Sequence, residues 1–264
     1  MHPFPLFRRP LLLAVLFATL ALPALRAQTT VDFVATTDTR IFSNAPTYAG
    51  AVGDLTAFNN GTSTIQHGLV LFDVSSLSGY NVISATLELT TDTTIGGNNG
   101  NPGNGGNGVA GAVQVYRIGS SWSGASWNSR DGTNAWVTSG GDFLGTGGSS
   151  YASPYASNST PVGANTQVLL NFDVTSLVQE WVTSTHQNYG FGLTPQNSSV
   201  QLDFWSFNNT GDSSLWPTLS VTYTSAIPEP AAVATGLALF ALGAVGVREH
   251  RRRKVARLDP KTLP

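Results

Sequence analysis

Residues 172–193 read FDVTSLVQEWVTSTHQNYGFGL. Two periodicities meet in this stretch. Val168, Leu170 and Phe172 alternate with other residues, as in a strand that buries one face. Val174, Leu177, Val178 and Trp181 then fall at i, i+3, i+4 and i+7, the apolar stripe of a short helix. Asp173 or Thr175 is placed to cap its first turn. Asn188-Tyr189-Gly190 reads as a turn, and Phe191 and Leu193 resume a strand. A hundred residues earlier, Phe72-Asp-Val-Ser-Ser-Leu77 nearly repeats Phe172-Asp-Val-Thr-Ser-Leu177, again after an apolar strand that carries Leu69 and Leu71. The repeat implies either internal duplication of a β architecture or one good strand-to-turn corner used twice.

Strand-like alternation recurs on both sides of this element. It is read at Val31 and Phe33, from Gly68 to Phe72, and at Ile83, Ala85, Leu87 and Leu89. It returns at Val113, Val115 and Ile118, at Val200, Leu202 and Phe204, and from Thr218 to Thr224. Many short strands between Gly-, Asn- and Pro-rich turns predict an all-β protein, a jelly-roll β-sandwich spanning residues 28–225. The glycine-rich run 96–108 reads as a flexible surface insertion. It lacks the Gly-Lys-Ser/Thr of a phosphate-binding loop and the aspartates of a calcium-binding nonapeptide repeat.

Composition narrows the chemistry. The 264 residues contain no cysteine, which removes disulfides and thiolate chemistry. The fold must therefore rest on its core, and a domain of this size buries about 70% of its unfolded surface. From Gln28 to Ser225 there are three arginines, Arg40, Arg117 and Arg130, and no lysine, against twelve Asp and Glu, a net charge of −9. Such a surface cannot neutralise a phosphate backbone, so nucleic acid is not an expected partner.

The ends read differently. In residues 1–27, Arg8 and Arg9 precede the apolar run Leu11–Leu22, and Ala27 stands in a small-residue cleavage context. This is the pattern of a secretory signal peptide. In residues 226–264, Pro228-Glu229-Pro230 precedes an uncharged apolar run, 231–247, followed by Arg248, Arg251, Arg252, Arg253 and Lys254. As a helix the run is about 25 Å long, the short limit for a single transmembrane span. Its basic foot would stay cytoplasmic, with the large domain outside.

This tail resembles a PEP-CTERM sorting signal. The resemblance implies a Gram-negative host that makes exopolysaccharide, an inner-membrane intermediate, and cleavage near Pro228–Pro230 by an exosortase, with delivery to the cell surface or extracellular matrix. Residues 28–225 resemble the DNRLRE-type domain. The matching pieces are Asp38-Thr-Arg-Ile-Phe-Ser43, His67-Gly-Leu-Val-Leu-Phe-Asp-Val-Ser-Ser-Leu77, Ala85-Thr-Leu-Glu-Leu89, Val113-Gln-Val-Tyr-Arg117, Trp122, Trp127-Asn128, Phe172-Asp-Val-Thr175 with Trp181, Asn188-Tyr-Gly-Phe191 and Trp216-Pro-Thr-Leu-Ser-Val-Thr-Tyr223. That family is similar to jelly-roll carbohydrate-binding modules. It usually carries an acid two positions after the first tryptophan of the pair; here Gly124 stands there, so no role of that acid transfers.

Two sets of candidate site residues follow. Trp122, Trp127, Trp136, Tyr151 and Tyr155 lie in loop-rich sequence. They either stack on the C–H faces of sugar rings or pack in a core, since aromatic side chains bury large areas. Asp32, Asp38 and Asp203 are the candidate ligands of a structural calcium, the one cofactor considered. No Gly-x-Ser-x-Gly elbow occurs, His67 and His186 have no metal-ligand spacing, and no glycosidase carboxylate pair stands out. The expectation is an exported, non-enzymatic protein associated with polysaccharide. The alternatives are a glycan-degrading enzyme on the same scaffold and a ligand-free stalk or adhesin.

Overall fold

The computed structural model describes residues 27–50, 55–92, 96–97, 101–102, 112–158, 167–198 and 200–225. The signal-peptide reading of 1–27, apart from Ala27, and the whole tail (Pro228–Pro230, 231–247 and the basic cluster) lie outside them. Among the described residues no helix is long and apolar enough to cross a membrane.

The elements in order are β1 (Thr29–Val34), β2 (Thr37–Phe42), β3 (Leu55–Asn59), β4 (Ile65–Leu71), β5 (Tyr80–Thr90), β6 (Gly96–Gly97), β7 (Asn101–Pro102), β8 (Val113–Ile118), β9 (Phe143–Leu144), β10 (Ala156–Asn158), β11 (Leu169–Asp173), α1 (Thr175–Val182), β12 (Phe191–Pro195), β13 (Val200–Phe204) and β14 (Thr218–Ser225). The smaller sheet has the order β1-β14-β5-β11. The larger runs β10-β8-β12-β4-β3-β13, with β2 on the other edge of β4 and β9 beside β8. Among the described residues the strands pair antiparallel, β1 with β14, β11 with β5, β8 with β10, β9 and β12, β4 with β2, β3 and β12, and β13 with β3. The chain is thus mostly β, with two antiparallel sheets arranged as a sandwich. The glycine-rich run is not featureless: β6 and β7 pair within it.

Alternation explains how the sheets stack. Phe172 lies opposite Leu87 and Leu170 opposite Leu89. On the facing sheet Phe191 lies opposite Val70 and Leu193 opposite Val115. Residues directly opposite in an antiparallel ladder share a face, so these side chains meet between the sheets in one buried core. Phe72 and Phe172 are almost fully enclosed there, each contributing about 1.5–3 kcal/mol of burial.

The alternation read across 83–89 breaks at its start. Val82 is buried and Ile83 is 43% exposed. The reason is α1. The β11 ladder ends at Thr86, and helix side chains take over the next free amides: Ala85 N–H donates to Thr175 Oγ1 and Val82 N–H to Gln179 Oε1. Released from the ladder, the strand shifts phase.

The helix stripe falls as its spacing predicts, with Leu177, Val178, Trp181 and Val182 buried. The repeated hexapeptides build matching corners. Asp73 Oδ1 accepts from Ser75 N–H, and Asp173 Oδ1 accepts from Thr175 N–H and Oγ1. The first corner continues as one 3₁₀ turn, Ser75–Leu77, and the second as α1.

Candidate functional site

The larger sheet has a second apolar face, pointing away from the sandwich. Ile41, Leu69, Tyr116 and Ile118 alternate onto it. The long connection from β8 to β10 (119–155) folds back and covers it. Asp142 braces that connection, accepting from Ser120 Oγ and from Thr138 N–H. Phe143 lies flat on Gly192, where an added Cβ would stand 2.5 Å from the ring. Only glycine at that strand position admits the lid.

This arrangement decides where the aromatic candidates go. Trp136 is buried, with Nε1–H donating to Ser126 O. Trp122 is half-buried and donates to Tyr189 O. Trp127 packs against Gly140 and lies 4.9 Å from the His67 ring. Tyr151 joins the same group, 5.9 Å from His67, with its hydroxyl on Gly141 O. Burial and the nearby Asp142 carboxylate raise its phenol above the usual range. Tyr155 instead packs on the main core and donates to Glu180 Oε2 of α1. Burial and that carboxylate push it up to about 12. The five rings therefore do not form one outward platform. Four of them build the second core and its rim, because an uncovered apolar sheet face gains more from burial than the rings gain from water.

The three candidate calcium ligands are not gathered either. Asp32 is exposed on β1, in the smaller sheet. Asp38 is buried and accepts from Ser206 Oγ at 2.6 Å and Phe207 N–H at 3.0 Å. Asp203 is buried and accepts from Thr56 Oγ1. Among the described residues no group of three His, Asp or Glu side chains comes together to hold a metal.

One concavity lies between the first of the two corners and the segment that leaves α1. A cleft of about 440 Å³ is lined by Asp73, Ser75 and Ser78 from the first corner, by Thr36 between β1 and β2, and by Trp181, Ser184, His186 and Gln187 from the end of α1 and the segment after it. The Asp73 carboxyl is held below its usual range by the Ser75 hydroxyl and amide. His186 lies 3.9 Å from Glu180. Ser184 closes α1 in the left-handed region, φ +59°. Its N–H donates to Trp181 O, and Thr185 N–H reaches Glu180 O, the paired bonds that usually place glycine at this position. A serine held there carries strain of order 1 kcal/mol, and the residue stands on the cleft wall. Asp73 is the one carboxylate among the described lining residues. The first hexapeptide marks one wall of this cleft, and the helix stripe that ends at Trp181 marks part of the other; the residues past the helix, Ser184 to Gln187, carry no signal of their own in the sequence.

Residues 51–221 match the family model described as the disaggregatase related repeat domain. No curated protein matches the chain.

Proposed function

The chain belongs to the family of disaggregatase related repeat domains, and from that premise we propose an exported, non-enzymatic protein of the cell surface or extracellular matrix that associates with polysaccharide. The observation that carries this reading is the corner cleft. Hydroxyl and amide groups from the first corner and from the segment that leaves α1 line it together with the Trp181 indole, with a single carboxylate among the described lining residues. That is chemistry for holding hydroxyl-rich chains; hydrolysis of a glycosidic bond ordinarily uses two carboxyl groups. In finer detail the domain is a jelly roll of DNRLRE type, a reading supported by the two stacked antiparallel sheets. The ends supply export and sorting: a signal peptide over 1–27, and a PEP-CTERM tail cut by an exosortase near Pro228–Pro230 after passage through an inner-membrane intermediate.

The test uses the full chain and the polysaccharide of the producing cells. Co-sedimentation is expected, with Asp73→Asn and His186→Ala each weakening it about tenfold, the scale of one or two lost hydrogen bonds. Absence of co-sedimentation overturns the polysaccharide association. Mass spectrometry of the matrix form is expected to find a C-terminus near Pro228; a cytosolic chain with both ends intact overturns export.

The family's description contains the name of an activity, and this favours a second reading, an enzyme that degrades a glycan. Release of reducing ends that is lost in Asp73→Asn would establish it in place of the first.

A further inference from the structure

A second cavity, of about 480 Å³, lies at the far end of β4 from the corner cleft. It is built by one cross-strand row. Gln66 of β4 pairs with Phe42 of β2 on one side and with Phe58 of β3 on the other. Directly opposed residues share a face, so the Gln66 amide stands between two phenyl rings. Tyr48, from the turn after β2, completes the wall; its ring meets Phe42 edge-on at 6.1 Å and is 58% exposed. The Arg40 guanidinium lies 4.9 Å over the other neighbour of this pair, the Phe42 ring, and stiffens it. Asn44, Asn60 and Thr64 supply the remaining polar rim. The 60–64 turn that carries two of them is itself organised, since Asn60 Oδ1 accepts from three successive amides.

The decisive atom is Gln66 Oε1. The side chain is 1% exposed, and this oxygen has no hydrogen-bond partner among the described residues. A buried acceptor left without a donor costs about 1–3 kcal/mol. It is rare enough in folded proteins to need a reason. Gln66 is one of the residues that line the aromatic cavity, and a bound donor that reaches its amide oxygen removes the cost.

We propose that this cavity binds an uncharged sugar residue, one hydroxyl donating to Gln66 Oε1 and a C–H face resting on Tyr48. The ligand must bring a donor, because the waiting group is an acceptor. A neutral ligand fits a lining with no charged side chain of its own, the Arg40 guanidinium being engaged with the Phe42 ring. It must present an apolar face, because the rings do. Volume is consistent with a small ligand or one segment of a longer one, pockets of this kind running from about 300 to 1,000 Å³. The polymer setting rests on the polysaccharide association proposed above; the site itself rests on the Phe42–Gln66–Phe58 row.

The experiment is calorimetric titration of the full chain with laminarihexaose, cellohexaose and mannohexaose as neutral probes, and with trigalacturonate as a charged one. At least one neutral probe is expected to bind and the charged one to fail. Tyr48→Ala is expected to weaken binding about tenfold, the worth of one stacked ring. Gln66→Leu is expected to abolish the measured binding while the melting temperature holds or rises, since it removes the buried acceptor and keeps the packing. A fall in melting temperature with binding intact would make the amide structural and overturn the site. So would the absence of binding to every neutral probe, or preference for trigalacturonate. If neutral probes bind unchanged to both variants but not to Asp73→Asn or His186→Ala, the corner cleft is the sugar site. The proposed function then stands and this site falls.

Discussion

The His67 ring lies 4.9 Å from the Trp127 indole, tilted by 34°, with its Nδ1 2.8 Å from Gly140 O. Phe143 and Tyr151 close around the same imidazole. A strand of the larger sheet thus presents its one titratable side chain to the lid rather than to solvent, and the lid's integrity depends on the imidazole staying uncharged.

That dependence sets a pH response. Burial pushes His67 down to about 4 from 6.5, the hydrogen bond to Gly140 opposing it only in part. The unfolded chain therefore binds the proton first as pH falls. The stability associated with the neutral ring is fully present above about pH 6.5 and is lost progressively down to about pH 4, where both states are protonated. The shift corresponds to roughly 3 kcal/mol at most. Melting temperature measured between pH 7 and 4.5 is expected to fall, and His67→Asn, which keeps a donor for Gly140 O, is expected to flatten that slope. An equal slope in the variant would place the titration elsewhere.

Ser184 yields a second expectation. It occupies a left-handed position that glycine adopts without penalty. Ser184→Gly is expected to stabilise the fold by about 0.5–1 kcal/mol, offset in part by the freedom glycine gains when unfolded. If its hydroxyl serves the cleft, the same variant binds polysaccharide more weakly. Denaturant melts and co-sedimentation read the two effects separately; a gain in stability without loss of binding would make the residue a helix stop alone.

Asp38 separates metal from hydrogen bonding as the source of order at the β2 end. Its oxygens accept from Ser206 Oγ, Phe207 N–H and Asn208 Nδ2. Asp38→Ala is expected to cost about 2–4 kcal/mol by leaving buried donors unsatisfied. Excess EGTA is expected to leave the parent's melting temperature unchanged. A drop of several degrees with EGTA, restored by calcium, would return Asp38 to the role of ligand.

Local rules were sufficient for much of this molecule. Alternation at Leu170 and Phe172, and the i, i+3, i+4, i+7 stripe through Trp181, specify a strand followed by a helix, because each pattern buries one face and no other conformation does. The duplicated Phe-Asp-Val-x-Ser-Leu likewise specifies two corners, since the aspartate's hydrogen bonds reach only two residues along the chain. Charge and the absence of cysteine bound the chemistry without any coordinates. The destinations of Trp122, Trp127, Trp136 and Tyr151 were decided elsewhere. Whether an indole in a loop faces water or a core depends on a partner surface, and that surface is the outer side of a sheet assembled from strands as distant in the chain as β2, ending at Phe42, and β13, starting at Val200. Gly192 admits Phe143, and Gln66 stands between Phe42 and Phe58, only through strand register. Register is a long-range property: no residue carries it alone, and burial over the whole sheet selects it.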